Sequence, residues 1–314
     1  MKLPEFEAII DAHQRIGKYI HNTPVLTSSA INRITGAELF FKCENLQKTG
    51  AFKFRGACNA IFSLSPKQAS HGVGTHSSGN HAAALAHAAS LRGMTAHIVM
   101  PSNSPEIKKK AVEGYGGIIT YCEPTLEARE STLQRIADST GIEIIHPYNN
   151  IKVIAGQGTA AKELMESYPD LDLVICPVGG GGLLSGTALS VKSLSQKCRV
   201  IASEPAGADD AYRSFRAGYI IPSLHPKTIA DGLLTSLGEI NFAIIIRYVD
   251  DIITVTEESI IQAMRLIWER MKLIVEPSSA VPLAAILENK KLFSNQRIGI
   301  ILSGGNLDLA NLPF

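Results

Sequence analysis

Short apolar runs rich in β-branched residues recur along the chain, each separated from the next by an amphipathic stretch. Strands are predicted at residues 39–42, 72–75, 95–100, 118–121, 143–145, 173–177, 200–203 and 298–302. Helical patterns fall between them, near residues 55–63, 80–91, 105–114, 126–139, 157–167 and 183–194. A crossover helix is what returns a chain to start a parallel neighbour, so this alternation implies α/β architecture with parallel sheets covered on both faces. A further helix is predicted over 257–271, with Thr256 as N-cap and Glu257 and Glu258 in the first turn. Its apolar set, Ile260, Ile261, Met264, Ile267, Trp268 and Met271, follows the 3.6-residue period and reads as core packing.

Charge narrows the partners. Thirty Lys plus Arg stand against twenty-nine Asp plus Glu, a net charge of +1 in 314 residues. Without a basic excess there is no electrostatic footprint for nucleic acid or an acidic membrane, and a small molecule is the expected partner. Hydrophobic residues at 45% and charged residues at 19% exclude a disordered chain. The opening MKLPEFEAIIDAHQ carries Glu5, Glu7 and Asp11 where a secretory leader needs an apolar run, and no stretch is long and apolar enough for a membrane helix. The five cysteines are odd in number, widely spaced and without a CxxC pair, which argues against a disulfide framework and a thiolate zinc site. A cytoplasmic protein with reduced, mostly buried thiols is expected. No repeat, low-complexity tract or linker is visible.

Ligands of open α/β sheets bind beyond the carboxyl ends of the strands, so the loops there are where chemistry should lie. Three such loops carry glycine: Ser77-Ser78-Gly79-Asn80-His81, Gly179-Gly180-Gly181-Gly182 and Ser303-Gly304-Gly305-Asn306. A tight turn or close helix packing would also use glycine. Four in succession between a buried strand and a helix exceed what a turn needs and let backbone N–H groups approach an anion, so a phosphate site is favoured. The pattern is neither GxGxxG nor a Walker loop. In Ala51-Phe52-Lys53-Phe54-Arg55-Gly56-Ala57 a lysine stands between two phenylalanines. A lysine at a helix start commonly snorkels to solvent. Apolar surroundings instead favour its neutral amine, the form that attacks carbonyl groups.

Taken together and in this order, AFKFRGA, SSGNHA, GGGGLLSG and SGGN resemble the fold-type-II pyridoxal-phosphate enzymes. Within them the chain is similar to the serine racemase and serine/threonine dehydratase branch. The segments TPVLTSS (23–29), FFKCEN (40–45), EPTLEARES (123–131), VIAGQGT (153–159), IADG (229–232), VDDIITVTE (249–257) and WERMKLIVEP (268–277) extend the match from about residue 10 to the last few residues. The resemblance implies two open, twisted, mostly parallel sheets flanked by helices. It implies a large cofactor-binding domain, 1–67 and 150–314, and a smaller inserted domain, 68–149, mobile over the active site. A homodimer is implied as well.

Roles follow by matching positions. The lysine matching Lys53 holds pyridoxal phosphate covalently and then serves as base toward the substrate Cα proton; Phe52 packs the cofactor ring. Gly179, Gly180, Gly181, Gly182 and Leu183 match the phosphate-binding backbone, Asn80 the partner of the ring's 3-hydroxyl, and Ser303 the partner of the ring nitrogen. A serine there, unlike a carboxylate, can donate to an unprotonated nitrogen and leaves a weaker electron sink. Racemisation needs an acid/base group on each face of a planar intermediate, and Ser78 matches the second-face group. Capping the next helix or holding the substrate carboxylate are its blander readings. Ser77, Gly79, His81 and Arg129 match substrate-side positions, while His76 and His146 read as structural.

Glu204, the Ala208 carbonyl and Asp210 match a structural site for Mg²⁺, Ca²⁺ or Mn²⁺, all hard-cation oxygen ligands. Ser28, Ser29, Ala30, Lys48, Thr49, Tyr115, Lys272 and Asn306 match positions that bind ATP as an effector. Three departures stand out: Ala51 where many dehydratases have Ser, Ala83 where the family has Gln, and Tyr148 at a position taken by Asn or Phe. Only eight residues follow Asn306, so no C-terminal regulatory domain is expected. The expected function is serine racemase with L-serine dehydratase side activity. The alternatives are a dedicated L-threonine/L-serine ammonia-lyase or threo-3-hydroxyaspartate dehydratase and, more remotely, a catalytically silent cofactor-binding protein. A dinucleotide-dependent dehydrogenase is disfavoured by the missing fingerprint.

Overall fold

A computed structural model of the protein describes residues 3–314. Ten strands are defined: β1 (Val25–Leu26), β2 (Glu38–Cys43), β3 (Val73–His76), β4 (Ala96–Pro101), β5 (Ile118–Cys122), β6 (Glu143–Ile144), β7 (Leu173–Pro177), β8 (Arg199–Pro205), β9 (Asp251–Val255) and β10 (Arg297–Leu302). They form a six-stranded sheet of order β1-β2-β10-β7-β8-β9 and a four-stranded sheet of order β5-β4-β3-β6. Only the β1–β2 pair is antiparallel. This is the α/β architecture that the alternation implied. All four strands of the smaller sheet come from residues 73–144, whereas the larger sheet draws on both ends of the chain.

Three helices that the larger sheet and its loops depend on cross at glycines. They are Lys53–Phe62, Ile151–Ser167 and Gly182–Leu194. A Cβ added to Gly156 would lie 2.5 Å from the Arg55 carbonyl, and one on Gly186 would lie 2.5 Å from the Gly158 nitrogen. Side chains of any size would push these backbones apart. The helix that begins at Lys53 also faces the smaller sheet, packing Phe54, Ala57, Cys58 and Ile61 with Val73, Leu85 and Ile98 in one core cluster. It therefore touches the structures on which both halves of the cavity are built.

A buried ionic cluster fixes that helix from behind. Arg55 is fully buried, with Nε 2.7 Å and Nη2 2.9 Å from the Glu44 carboxylate and Nη1 2.7 Å and Nη2 2.8 Å from that of Glu163. Lys42 donates to Glu163 at 2.6 Å and the Thr23 hydroxyl to Glu44 at 2.5 Å. Two cations and two carboxylates balance, so no uncompensated charge is buried.

The strand predictions agree with the structure to within two residues at each end. The Thr256 N-cap is present, accepting from the Ser259 N–H. One boundary differs notably. The helix expected from 157 begins at Ile151, capped by the Asn150 side chain on Lys152 N and Val153 N. Gly156 and Gly158 disguise its start, because close packing places glycine inside the helix there. Strands β1 and β9 and the helices Phe6–Ile16, Asp210–Ala217, Glu239–Tyr248 and Pro277–Glu288 were not anticipated.

Replacing Gly186 by Ala should lower the unfolding free energy by about 1–3 kcal/mol, the usual range for overpacking, and weaken cofactor retention in parallel. Urea denaturation with and without pyridoxal phosphate would check both effects.

Candidate active site

The loops singled out in the sequence converge on one cavity of about 330 Å³. Each is placed by a strand end. The Phe52 N–H donates to the Ser303 carbonyl at 2.9 Å, and Ala51 bridges Gly304, so the lysine segment is stitched to the end of β10. The Ser77 N–H continues the β3–β4 ladder to the Val99 carbonyl at 3.1 Å, which aims Ser77–Asn80 at the same space. The glycine loop leaves β7 and enters the helix Gly182–Leu194.

Lys53 lines this cavity. Its amine donates to the Pro147 carbonyl at 3.1 Å and lies 5.1 Å from the Phe52 ring centroid. Burial lowers its pKa to about 8, with the Glu276 carboxylate opposing that shift. The lowered pKa expected from the sequence is present, but burial causes it while a carbonyl and a carboxylate stand beside the amine, so the surroundings are not simply apolar. Glu276 is buried beside it. It accepts from Asn80 Nδ2 at 3.0 and 3.1 Å and from the Asn306 N–H at 3.2 Å, and burial pushes its carboxyl up to about 7. Sequence reasoning missed Glu276, because an acid before Pro277 at a helix start resembles an ordinary end-of-helix charge.

The glycine loop has the character of an anion site. Gly181 has a φ of +88°, and the helix that follows has no side-chain cap. Among the described residues, no hydrogen bond engages the N–H groups of Gly180, Gly181, Gly182 and Leu183. Unsatisfied N–H groups at the positive end of a 13-residue helix are suited to a phosphate. Side chains are excluded: a Cβ on Gly180 would fall 2.4 Å from the Tyr148 ring, and one on Gly179 3.0 Å from Leu233 Cα. The residues present thus fit pyridoxal phosphate, with an amine of lowered pKa for its aldehyde and free N–H groups for its phosphate.

Ser303 is buried at the cavity floor, its Oγ 3.1 Å from Ser279 Oγ, which in turn donates to the Gly304 carbonyl at 2.8 Å. Ser77 Oγ accepts from the Gly79 N–H at 3.3 Å. Ser78 lines the cavity and its hydroxyl has no partner among the described residues; the next helix is capped at Gly79 without a side chain, which removes the capping alternative. His146 Nδ1 accepts from the Asn149 N–H at 2.9 Å, and burial, helped by His76 and Lys53, lowers the ring's pKa to about 4. His76 and His81 are lowered too, mainly by burial, so all three imidazoles are neutral at pH 7. Burial raises the Tyr148 phenol, and its ring meets His146 edge-on at 4.6 Å. Arg129, on the helix Leu126–Thr140, lines the cavity with no ion-pair partner among the described residues.

A model of the family described as pyridoxal-phosphate dependent enzyme matches residues 16–304. The chain belongs to this family. It is 52% identical over its whole length to the β-hydroxyaspartate dehydratase of Paracoccus denitrificans, which it covers completely. It is 54% identical to the serine racemase of Dictyostelium discoideum, over 97% of this chain and 95% of that one. The structure of maize serine racemase superposes with a TM-score of 0.97 at 47% identity, covering 98% of this chain and 95% of the other. The fold-type-II architecture expected from the motifs is therefore the fold of this family member.

The predicted cation site lies apart from the residues that line this cavity, whereas the predicted ATP set shares Asn306 with it. Glu204 and Asp210 are buried, one at the end of β8 and the other at the start of the helix Asp210–Ala217; burial pushes them up to about 9 and about 6, and Asp210 Oδ2 has no partner among the described residues. Glu204 accepts from Tyr212 N and Ala211 N. A second cavity of about 500 Å³ is lined by Thr49, Tyr115 and Asn306, with Asn80 and Ala83 between them. Of the other residues matched to ATP, none lines that cavity. Ser28 caps the helix Ser29–Thr35, Ser29 and Lys272 are exposed, and Lys48 lies 5.9 Å from the Phe54 ring.

Only the neutral form of Lys53 attacks an aldehyde. Covalent cofactor incorporation into the apo-protein should therefore slow about tenfold for each pH unit below about 8 and level off above it. Stopped-flow absorbance across pH 6–9 would check this, roughly spanning the shift.

Proposed function

We propose that the protein is a serine racemase that interconverts L- and D-serine and also converts L-serine to pyruvate and ammonia. Supporting the reading is one observation above others: an amine of lowered pKa and an uncommitted serine hydroxyl, Lys53 and Ser78, line the same cavity. Pyridoxal phosphate, when bound, supplies an electron sink that acidifies the Cα–H of an attached amino acid. Lys53 would hold its aldehyde, the Gly179–Leu183 backbone its phosphate, Asn80 its 3-hydroxyl and Ser303 its ring nitrogen, with Phe52 against the ring. Ser303 brings a neutral hydroxyl, so the nitrogen stays unprotonated and charge at Cα is less delocalised.

In this reading Lys53, released by the incoming amino group, takes the Cα proton on one face. Ser78 delivers a proton to the other, which inverts the centre. Ser77, Gly79, Asn80 and His81 hold the substrate carboxylate through the loop that begins at β3. Elimination starts from the same proton removal: the β-hydroxyl leaves as water with a proton, and hydrolysis of the resulting enamine consumes one water and releases ammonia. Neutral His76, His81 and His146 add no competing charge. The smaller inserted domain, 68–149, would close over the substrate and exclude water.

A second reading, threo-3-hydroxyaspartate dehydratase, has a specific observation in its favour. Arg129 offers the cavity a cation without a carboxylate partner, which a second substrate carboxylate would fill, and the Paracoccus denitrificans relative is named a β-hydroxyaspartate dehydratase. An L-threonine ammonia-lyase differs from the first reading by one methyl group, worth only about 1–3 kcal/mol of discrimination. Incubating the holoenzyme separately with L-serine, L-threonine and L-threo-3-hydroxyaspartate, and following keto acid and D-serine, distinguishes the three. D-Serine supports the racemase; keto acid without it, fastest from hydroxyaspartate, supports the second reading.

Glu204, the Ala208 carbonyl and Asp210 would hold Mg²⁺, Ca²⁺ or Mn²⁺ as a structural ion. ATP in the larger cavity, a homodimer and a cytoplasmic location complete the reading; among the described residues no helix is long and apolar enough to cross a membrane.

Lys53→Ala should abolish both reactions. Ser78→Ala should cut D-serine formation by roughly 10²-fold or more, the scale of one lost acid/base group, while elimination from L-serine falls far less. Chiral chromatography beside a keto-acid assay measures both, and equal losses would reassign Ser78 to carboxylate binding.

Burial raises both acids of the proposed cation site, Glu204 to about 9 and Asp210 to about 6, so at pH 7 it is Glu204 whose ionised form is unfavourable without a cation. Mg²⁺ should raise the Tm, more at pH 8 than at pH 6, because fewer protons need displacing. Glu204→Gln should remove the Mg²⁺-dependent part of the shift, read by differential scanning fluorimetry.

A further inference from the structure

Gln157 is fully buried in the helix Ile151–Ser167, and neither end of its amide has a hydrogen-bond partner among the described residues. Buried polar groups are almost always paired, so an amide unpaired at both ends needs a reason. Methionine would fill the same space without burying a polar group. The neighbours indicate where the missing partner lies. On one side stands Gly56, one turn beyond Lys53, where an added Cβ would fall 3.0 Å from Gln157 Cγ. On the other stands Gly182, where an added Cβ would meet Gln157 Oε1 at 2.6 Å. The amide is thus aimed at the uncapped first turn of the helix Gly182–Leu194, and Gln157 itself does not line the cavity.

We propose that Gln157 is a positioning residue for the phosphate-binding loop, supporting it from behind. An anion draws the loop's N–H groups toward itself and turns their peptide planes. Gln157 carries a donor and an acceptor on one pivot, so it can pair with the polar groups that turn away from the anion. With an anion bound, loop and amide would satisfy each other. The inference rests on the reading that the glycine loop holds the cofactor's phosphate. It assigns Gln157 to affinity for the phosphate end alone.

Full-length apo-protein, wild type and Gln157→Met, would be titrated with pyridoxal phosphate and with pyridoxal, which lacks the phosphate, by equilibrium dialysis. In the variant the ratio of the two affinities should fall by up to about tenfold, the scale of one buried hydrogen bond between neutral groups, with pyridoxal binding unchanged. The Tm of the apo-protein should hold or rise, because an unpaired buried amide has been removed; a purely structural glutamine would lower it. An unchanged affinity ratio overturns the assignment of Gln157. A wild type that does not prefer the phosphorylated compound overturns the phosphate reading of the loop, and the inference with it. If Gln157→Met does not fold, Gln157→Glu decides the matter: an acid behind the loop should lower the ratio, and an unchanged ratio overturns the proposal.

Discussion

Arg55 is the anchor on which the site depends. Its guanidinium is fully buried and gripped by two carboxylates from different parts of the chain, Glu44 after β2 and Glu163 on the helix Ile151–Ser167. Such a pair adds little net stability over an apolar substitute, yet removing one partner leaves a buried charge at a cost of about 3–5 kcal/mol. Its effect is on placement. Arg55 stands two residues from Lys53 on one helix, so the side chains point to nearly opposite sides. Holding the guanidinium on the core side holds the amine on the cavity side.

Charge at the cavity is arranged by burial more than by pairing. Three histidines are kept neutral, Glu276 is pushed up to about 7 and Lys53 down to about 8. At the glycine loop the fixed positive field comes from backbone N–H groups at an uncapped helix start, which do not titrate, while Arg129 supplies a permanent cation elsewhere in the lining. A phosphate held there by backbone alone, as proposed, would stay bound across the pH range in which Lys53 changes its proton. Anchoring and chemistry are in this way separated in one small space.

Much of the fold was legible because strand–helix alternation and helix caps are local signals, as the Thr256 cap and the run Leu173–Pro177 illustrate. The glycine loop and the lysine between phenylalanines were legible for the same reason. What local pattern could not show was what lies opposite. Gly156 and Gly158 obscured the start of a helix because their purpose is a contact with Arg55 and Gly186, distant in sequence. Glu276 and Gln157 were overlooked because an isolated acid or amide acquires meaning only from its neighbours. Strand β9, with three of its five residues half-buried at a sheet edge, gave a weaker apolar signal than the central strands.

The glycines therefore serve two purposes that cannot be selected apart. At Gly180 the missing side chain leaves room for the Tyr148 ring that lines the cavity, and at Gly182 room for Gln157, which lies behind it; both keep open the loop proposed to hold an anion. At Gly56 and Gly186 it brings the lysine helix, the central helix and the loop helix close enough to behave as one unit. A displacement of any of the three helices would move the amine relative to the anion site. Since proton transfer at Cα depends on positions held to fractions of an ångström, close backbone packing well away from the reacting atoms belongs to the catalytic apparatus as much as the groups that touch substrate.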